Sequence, residues 1–119
     1  MSAGGTVNRH LAEQAVEHVD VTSVSMAGLF GLYIAFAAAK ELMLAHTGLP
    51  ENQGDENDIL SDEVERLCCV LEKIQEAASA REPDNPIDRG WRAEIIVRWG
   101  LECGQWGWVA EGLDASRAA

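Results

Sequence analysis

Val21–Pro50 reads VTSVSMAGLFGLYIAFAAAKELMLAHTGLP, and no charged residue occurs in it from Val21 to Ala39. Leu29, Phe30, Leu32, Tyr33, Ile34 and Phe36, each turned about 100° from its neighbour, cover most of a helical circumference. Thr22 or Ser23 can cap the start of such a helix. Three signals mark its end. Gly48 stands where a left-handed C′ residue is needed, Leu49 can fold back on Leu44, and Pro50 bars continuation. The stretch therefore predicts a long helix over Thr22–His46, the second of the chain. Ala27, Gly31, Ala35 and Ala39 form a ladder of small residues along it, which lets another backbone come close. Nineteen uncharged residues fall just short of the roughly 20 that span a bilayer. Thr22, Ser23 and Ser25 dilute the apolarity, and no polybasic flank sets an orientation, so a buried helix is expected rather than a membrane span.

Outward from this helix the punctuation predicts three more. A short first helix covers Asn8–Val19, capped by Asn8, with Leu11, Ala15 and His18 or Val19 as its stripe. After Pro50, residues 51–58 read as an exposed acidic loop. A third helix covers Ser61–Ala80, capped by Ser61, with Val64, Leu67, Cys68, Leu71, Ile74 and Ala78 on one face. Pro83 and Pro86 bracket a turn. A fourth helix starts at Pro86 with Asn85 as cap, or slightly later with Asp88, and ends near Glu111 with Gly112 as its C′ residue. On a continuous fourth helix, Trp91, Ile95, Trp99 and Trp106 share one face, and Trp108 joins Val97 and Leu101 on another. Between them runs a strip of Ala93, Gly100, Gly104 and Gly107, against which the ladder of helix 2 is expected to lie. Strand signals are weak. The fold expected is all-α, a single-domain bundle of about four helices over residues 1–119, with helices 2 and 4 central and residues 1–7 and 114–119 frayed.

Bulk properties narrow the function. The chain has 119 residues, 47% of them hydrophobic and 3 of them Pro, with a net charge of −11. A chain of about 150 residues or fewer makes one domain, which excludes a two-domain enzyme. The apolar content excludes a disordered acidic tail, and the charge argues against duplex nucleic acid as a direct ligand. Three cysteines, two of them adjacent (Cys68, Cys69 and Cys103), form no disulfide framework and point to a reducing, cytoplasmic setting. Residues 1–65 hold 11 acids against 2 basic residues, and residues 66–119 hold 9 acids against 7. Seven of the acids crowd into Glu51–Glu65, which gives the first half a strong negative field.

His10 and Glu13 lie one turn apart, but the paired Glu-x-x-His motifs of a di-metal bundle are missing, so a solvated face is expected and no metal. Cys68 reads as core and Cys69 as partly exposed. Asp55–Asp58 resembles the start of a calcium loop, yet Leu60 and Arg66 stand where that loop needs Gly and Glu. Arg89, Arg92 and Arg98 among the tryptophans are expected to pair and pack rather than to stack on bases. No catalytic residue and no cofactor is predicted.

The sequence thus points to a non-enzymatic, acidic protein-binding module. Glu51, Asp55, Glu56, Asp58, Asp62, Glu63 and Glu65 are the expected contact surface for a basic site on another protein. One concrete form is an inhibitor that occupies or mimics nucleic acid, such as a phage-encoded antagonist of a host defence complex. Trp91, Trp99, Trp106 and Trp108 are the expected oligomer or partner interface, because aromatic side chains favour such surfaces. Two alternatives belong to other classes. One is a self-assembling structural bundle. The other is a ligand-binding protein or enzyme with a pocket between helices 2 and 4, lined by Tyr33, Trp99 and Trp106.

Overall fold

The computed structural model describes residues 10–117, with side chains through Asp114. All regular structure among the described residues is helical. The described part of α1 is residues 10–15, followed by α2 (Met26–His46), α3 (Asp55–Ala80), α4 (Pro86–Cys103) and α5 (Trp106–Arg117). The proposed Asn8 cap and the frayed segment 1–7 lie outside the described residues. At the other end α5 continues through Asp114 to Arg117.

The chain forms two compact units. Of the described residues, the first comprises 10–20 and 35–71, and the second 21–34 and 72–117. In the first, Ala12, Val16, Leu67, Cys69, Val70 and Leu71 are buried. In the second, Leu29, Tyr33, Ile74, Ala78, Ala93, Ile95 and Trp99 are buried. Phe30 of α2 packs on Trp91 of α4 there, ring centroids 4.8 Å apart.

Helix α2 starts at Met26, later than Thr22. Residues 22–24 form a turn, and the cap is Ser25, whose Oγ accepts from Gly28 N at 3.0 Å. The turn before it is bound by Arg81, whose guanidinium donates to the carbonyl of Thr22 at 2.8 Å and to that of Val24. The other end follows the sequence reading, with Gly48 at φ +76° just after His46.

Helix α3 starts at Asp55, so the acidic stretch 55–58 is helix and not loop. Asp55, Glu56 and Asp58 occupy its first turn, where the exposed N–H groups carry partial positive charge. The loop shrinks to a connection whose polar side chains close α2. Asn52 Nδ2 donates to His46 O at 2.8 Å and Thr47 Oγ1 to Leu44 O at 2.7 Å. Gly48 N donates to Asn57 Oδ1 at 2.7 Å, tying the α2 end to the α3 start.

The largest departure lies in the fourth predicted helix, which is two helices. Asn85 caps α4 as expected, its Oδ1 accepting from Asp88 N at 2.8 Å, with Pro86 in the first turn. But α4 ends at Cys103, and Gly104 takes φ +69°. Gln105 N then donates to Gly100 O at 2.7 Å and Gly104 N to Leu101 O at 3.2 Å. These paired bonds are the Schellman closure, which needs a residue without Cβ strain at C′. The chain reverses and α5 returns along α4. A Cβ on Gly100 would lie 3.0 Å from Val109 Cγ2, and one on Gly112 would lie 2.8 Å from Val97 Cγ2. Gly100 of the strip, together with Gly112, therefore serves the α4–α5 contact. Gly31, Gly104 and Gly107 have nothing within 4 Å of an added Cβ, which corrects the expectation that the small-residue ladder of α2 lies on them.

Candidate functional site

The acidic residues sit on the first four turns of α3 and the connection before it. Glu51, Asp55, Glu56, Asp58 and Asp62 are exposed, and Glu63 and Glu65 are half-buried. At about 100° per residue, Asp55, Asp58 and Asp62 fall within about 60° of one another on a single edge of α3. Glu56 and Glu63 also work within the fold. Glu56 accepts from Gly54 N at 3.2 Å, and hydrogen bonds to its own backbone N–H and that of Gly54 hold its carboxyl below the usual range. Glu63 takes both arms of Arg66, Nε at 2.8 Å and Nη2 at 2.6 Å. That hydrogen-bonded guanidinium lowers the Glu63 pKa and raises that of Arg66.

The cations around this stretch do not offset the acids at the surface. Eight acids and no Lys or Arg occur from Glu41 to Glu65. Lys40, just before it, is 4% exposed, with its Nζ 3.6 Å from Glu41 Oε1. Arg66, just after it, is held by Glu63.

An open apolar groove adjoins the acidic edge within the first unit. Its volume is about 530 Å³, and its lining is Leu11, Ala12 and Ala15 of α1, Met43 of α2, and Ile59, Leu60, Asp62, Glu63 and Arg66 of α3. Leu11 is 55% exposed and Ile59 69%. The sequence reading missed this groove because Ile59 and Leu60 fell between its acidic loop (51–58) and its third helix (from Ser61), whereas both belong to α3.

The four tryptophans do not form one surface. The reversal at Gly104 separates Trp106 and Trp108 from the α4 face that carries Trp91 and Trp99. Trp99 is buried and Trp91 half-buried, whereas Trp106 is 72% exposed and Trp108 42%. Tyr33, Trp99 and Trp106 do not line the groove of the first unit. The cavity in the second unit, about 450 Å³, is lined instead by Gln75, Ser79, Arg92, Ile96, Trp108, Glu111 and Gly112. Arg92 closes the end of α3, donating to Ala78 O at 3.0 Å and Ser79 O at 2.8 Å. Arg98 pairs with Glu94 at 3.1 Å and lies 5.6 Å from the Phe30 ring centroid. Arg98 pairs and packs as expected, whereas Arg92 serves as a backbone clamp on α3.

Helix α2 presents an apolar outer face. Gly31, Ile34, Ala35, Ala38, Leu42 and Ala45 are all exposed and fall within about 100° of arc. Among the described helices α2 alone is long and apolar enough to cross a membrane by length and composition, a test that core helices of soluble proteins also pass. Only 17% of its most apolar window is buried.

The cysteines reverse the expected order, with Cys69 buried and Cys68 half-buried. The cause is the run Leu67-Cys68-Cys69-Val70-Leu71, apolar around the whole helix and so covered on more than one side. Cys103 is exposed. Among the described residues no three His, Cys, Asp or Glu side chains converge on a metal-sized site.

No protein-family model matches this chain, and no curated protein or solved structure matches it.

Proposed function

We propose that this protein is a non-enzymatic binding module that docks its acidic α3 edge on a basic surface of another protein. The observation that carries the reading is the uncompensated field of residues 41–65. Its flanking cations, Lys40 and Arg66, are buried or already paired, so the exposed carboxylates face solvent without a neutralising partner in sequence. Such a field steers encounter and selects partners of opposite sign. A partner that normally holds nucleic acid has the required surface, and occupying it would make the module an inhibitor. Within the second unit, α2 and α4 form the middle, through Leu29, Tyr33, Ile95 and Trp99.

The test is capture of a partner by the full chain at about 150 mM salt, where surface charges act over about 8 Å. The combined variant Glu51→Gln, Asp58→Asn and Asp62→Asn spares Glu56 and Glu63, which serve the fold. Loss of the partner in that variant, with competition by duplex DNA for the same partner, supports the reading. A partner retained equally by both proteins overturns it.

A second reading, association of identical copies, is favoured by the exposed apolar face of α2 and by Trp106. Sedimentation of the wild type against Ala38→Arg decides it. A shift from dimer or larger species to monomer supports self-association, and a monomer in both removes it.

A further inference from the structure

We infer that the groove of the first unit receives a basic amphipathic helix of a partner protein, its apolar side chains entering between α1 and α3 and its Lys or Arg residues lying along Asp55, Asp58 and Asp62. This deepens the acidic-docking proposal and rests on it. The groove has the parts that helix-in-groove recognition requires. Ala12 and Ala15 are small and leave room, and Leu11 and Ile59 are large, apolar and more than half exposed. Solvent-facing side chains of that size mark contact surfaces when they adjoin a concavity. The rim supplies the sign of the occupant. Asp62 lines the groove and is exposed, Asp55 and Asp58 continue the same edge of α3, and among the described residues the cation lining it, Arg66, is already held by Glu63 at 2.6 and 2.8 Å. An acidic or neutral helix would leave those carboxylates without a counter-charge. A basic helix would complement them and would bury its apolar stripe in the same pose.

The experiment measures binding of fluorescein-labelled peptides to the full chain by anisotropy. The first probe is a peptide of about 14 residues, roughly four turns, with Leu at helical spacing and Lys on both flanks. The second has the same composition with the spacing scrambled, and the third replaces each Leu by Ser. The groove predicts that the first binds at least tenfold more tightly than the other two. It further predicts at least a tenfold loss in Ile59→Ser, which removes a wall, and in Ala15→Phe, which fills the space. Both positions are exposed, and circular dichroism confirms that each variant is folded. If all three peptides bind alike, and only Asp58→Asn and Asp62→Asn weaken them, the groove is overturned while acidic docking stands. If none binds even at low salt, the acidic-docking proposal itself falls and takes the groove with it. If Ile59→Ser leaves peptide affinity unchanged but dissociates a dimer in sedimentation, the occupant is a second copy and the inference is wrong.

Discussion

At the residue scale, the pair Glu63–Arg66 sets a pH dependence with a definite sign. The folded carboxyl lies below its ordinary value near 4.5 because the guanidinium binds it. Its contribution is therefore complete above the unfolded value and is lost as pH falls through the lower folded one. Both side chains are about one-third exposed, 34% and 38%, so solvent screening limits the gain to about 0.5 kcal/mol. Urea unfolding of Glu63→Gln should show that deficit at about pH 7, and the deficit should shrink as the pH falls through the lowered folded pKa. The glycines separate two kinds of cost. Gly104→Ala should lose about 1 kcal/mol, because a Cβ is strained at φ +69° although nothing crowds it. Gly112→Val should lose about 2–3 kcal/mol through overpacking, because the added carbon meets Val97 at 2.8 Å. Equal losses in thermal denaturation would contradict this division.

At the element scale, the places where the sequence was readable are those where a local signal had no competitor. Gly48 before Pro50, and Asn85 before Pro86, each combine a cap with a barrier, and the structure follows both. The α2 start was misread because Thr22 and Ser23 are good caps in sequence, whereas the hydroxyl that caps the helix is the next one, Ser25. Arg81, far along the chain, binds the carbonyls of the turn before it. The α4–α5 reversal was hidden because Trp106, Trp108 and Val109 continue an apolar pattern past Gly104, and a lone glycine inside such a pattern is usually tolerated. The α3 start was misread because acids suit both loops and first helical turns. The candidate site was legible as charge but not as shape. The acids of 51–65 could be counted, whereas the groove needs α1, α2 and α3 together. The hairpin makes its own prediction. Acrylamide quenching should fall sharply in Trp106→Phe, whose parent ring is 72% exposed, and hardly change in Trp99→Phe, at 8%. A continuous fourth helix would place both rings on one face and quench them alike.

At the scale of the whole molecule, a net charge of −11 opposes association, whereas large apolar side chains at the surface such as Ile34, Leu42 and Trp106 favour it. Light scattering should thus rise as pH approaches the sequence pI of about 4.5, where repulsion fades. The burial of Lys40 reaches further. Lys40 and Lys73 are the only lysines in the chain, and the first is 4% exposed while the second is half-buried. Acylating reagents should modify the Lys73 amine in the native protein and reach Lys40 only in denaturant, a difference that peptide mass mapping would read directly. Any cellular enzyme that conjugates ubiquitin or acetyl groups to side-chain amines meets the same scarcity of targets.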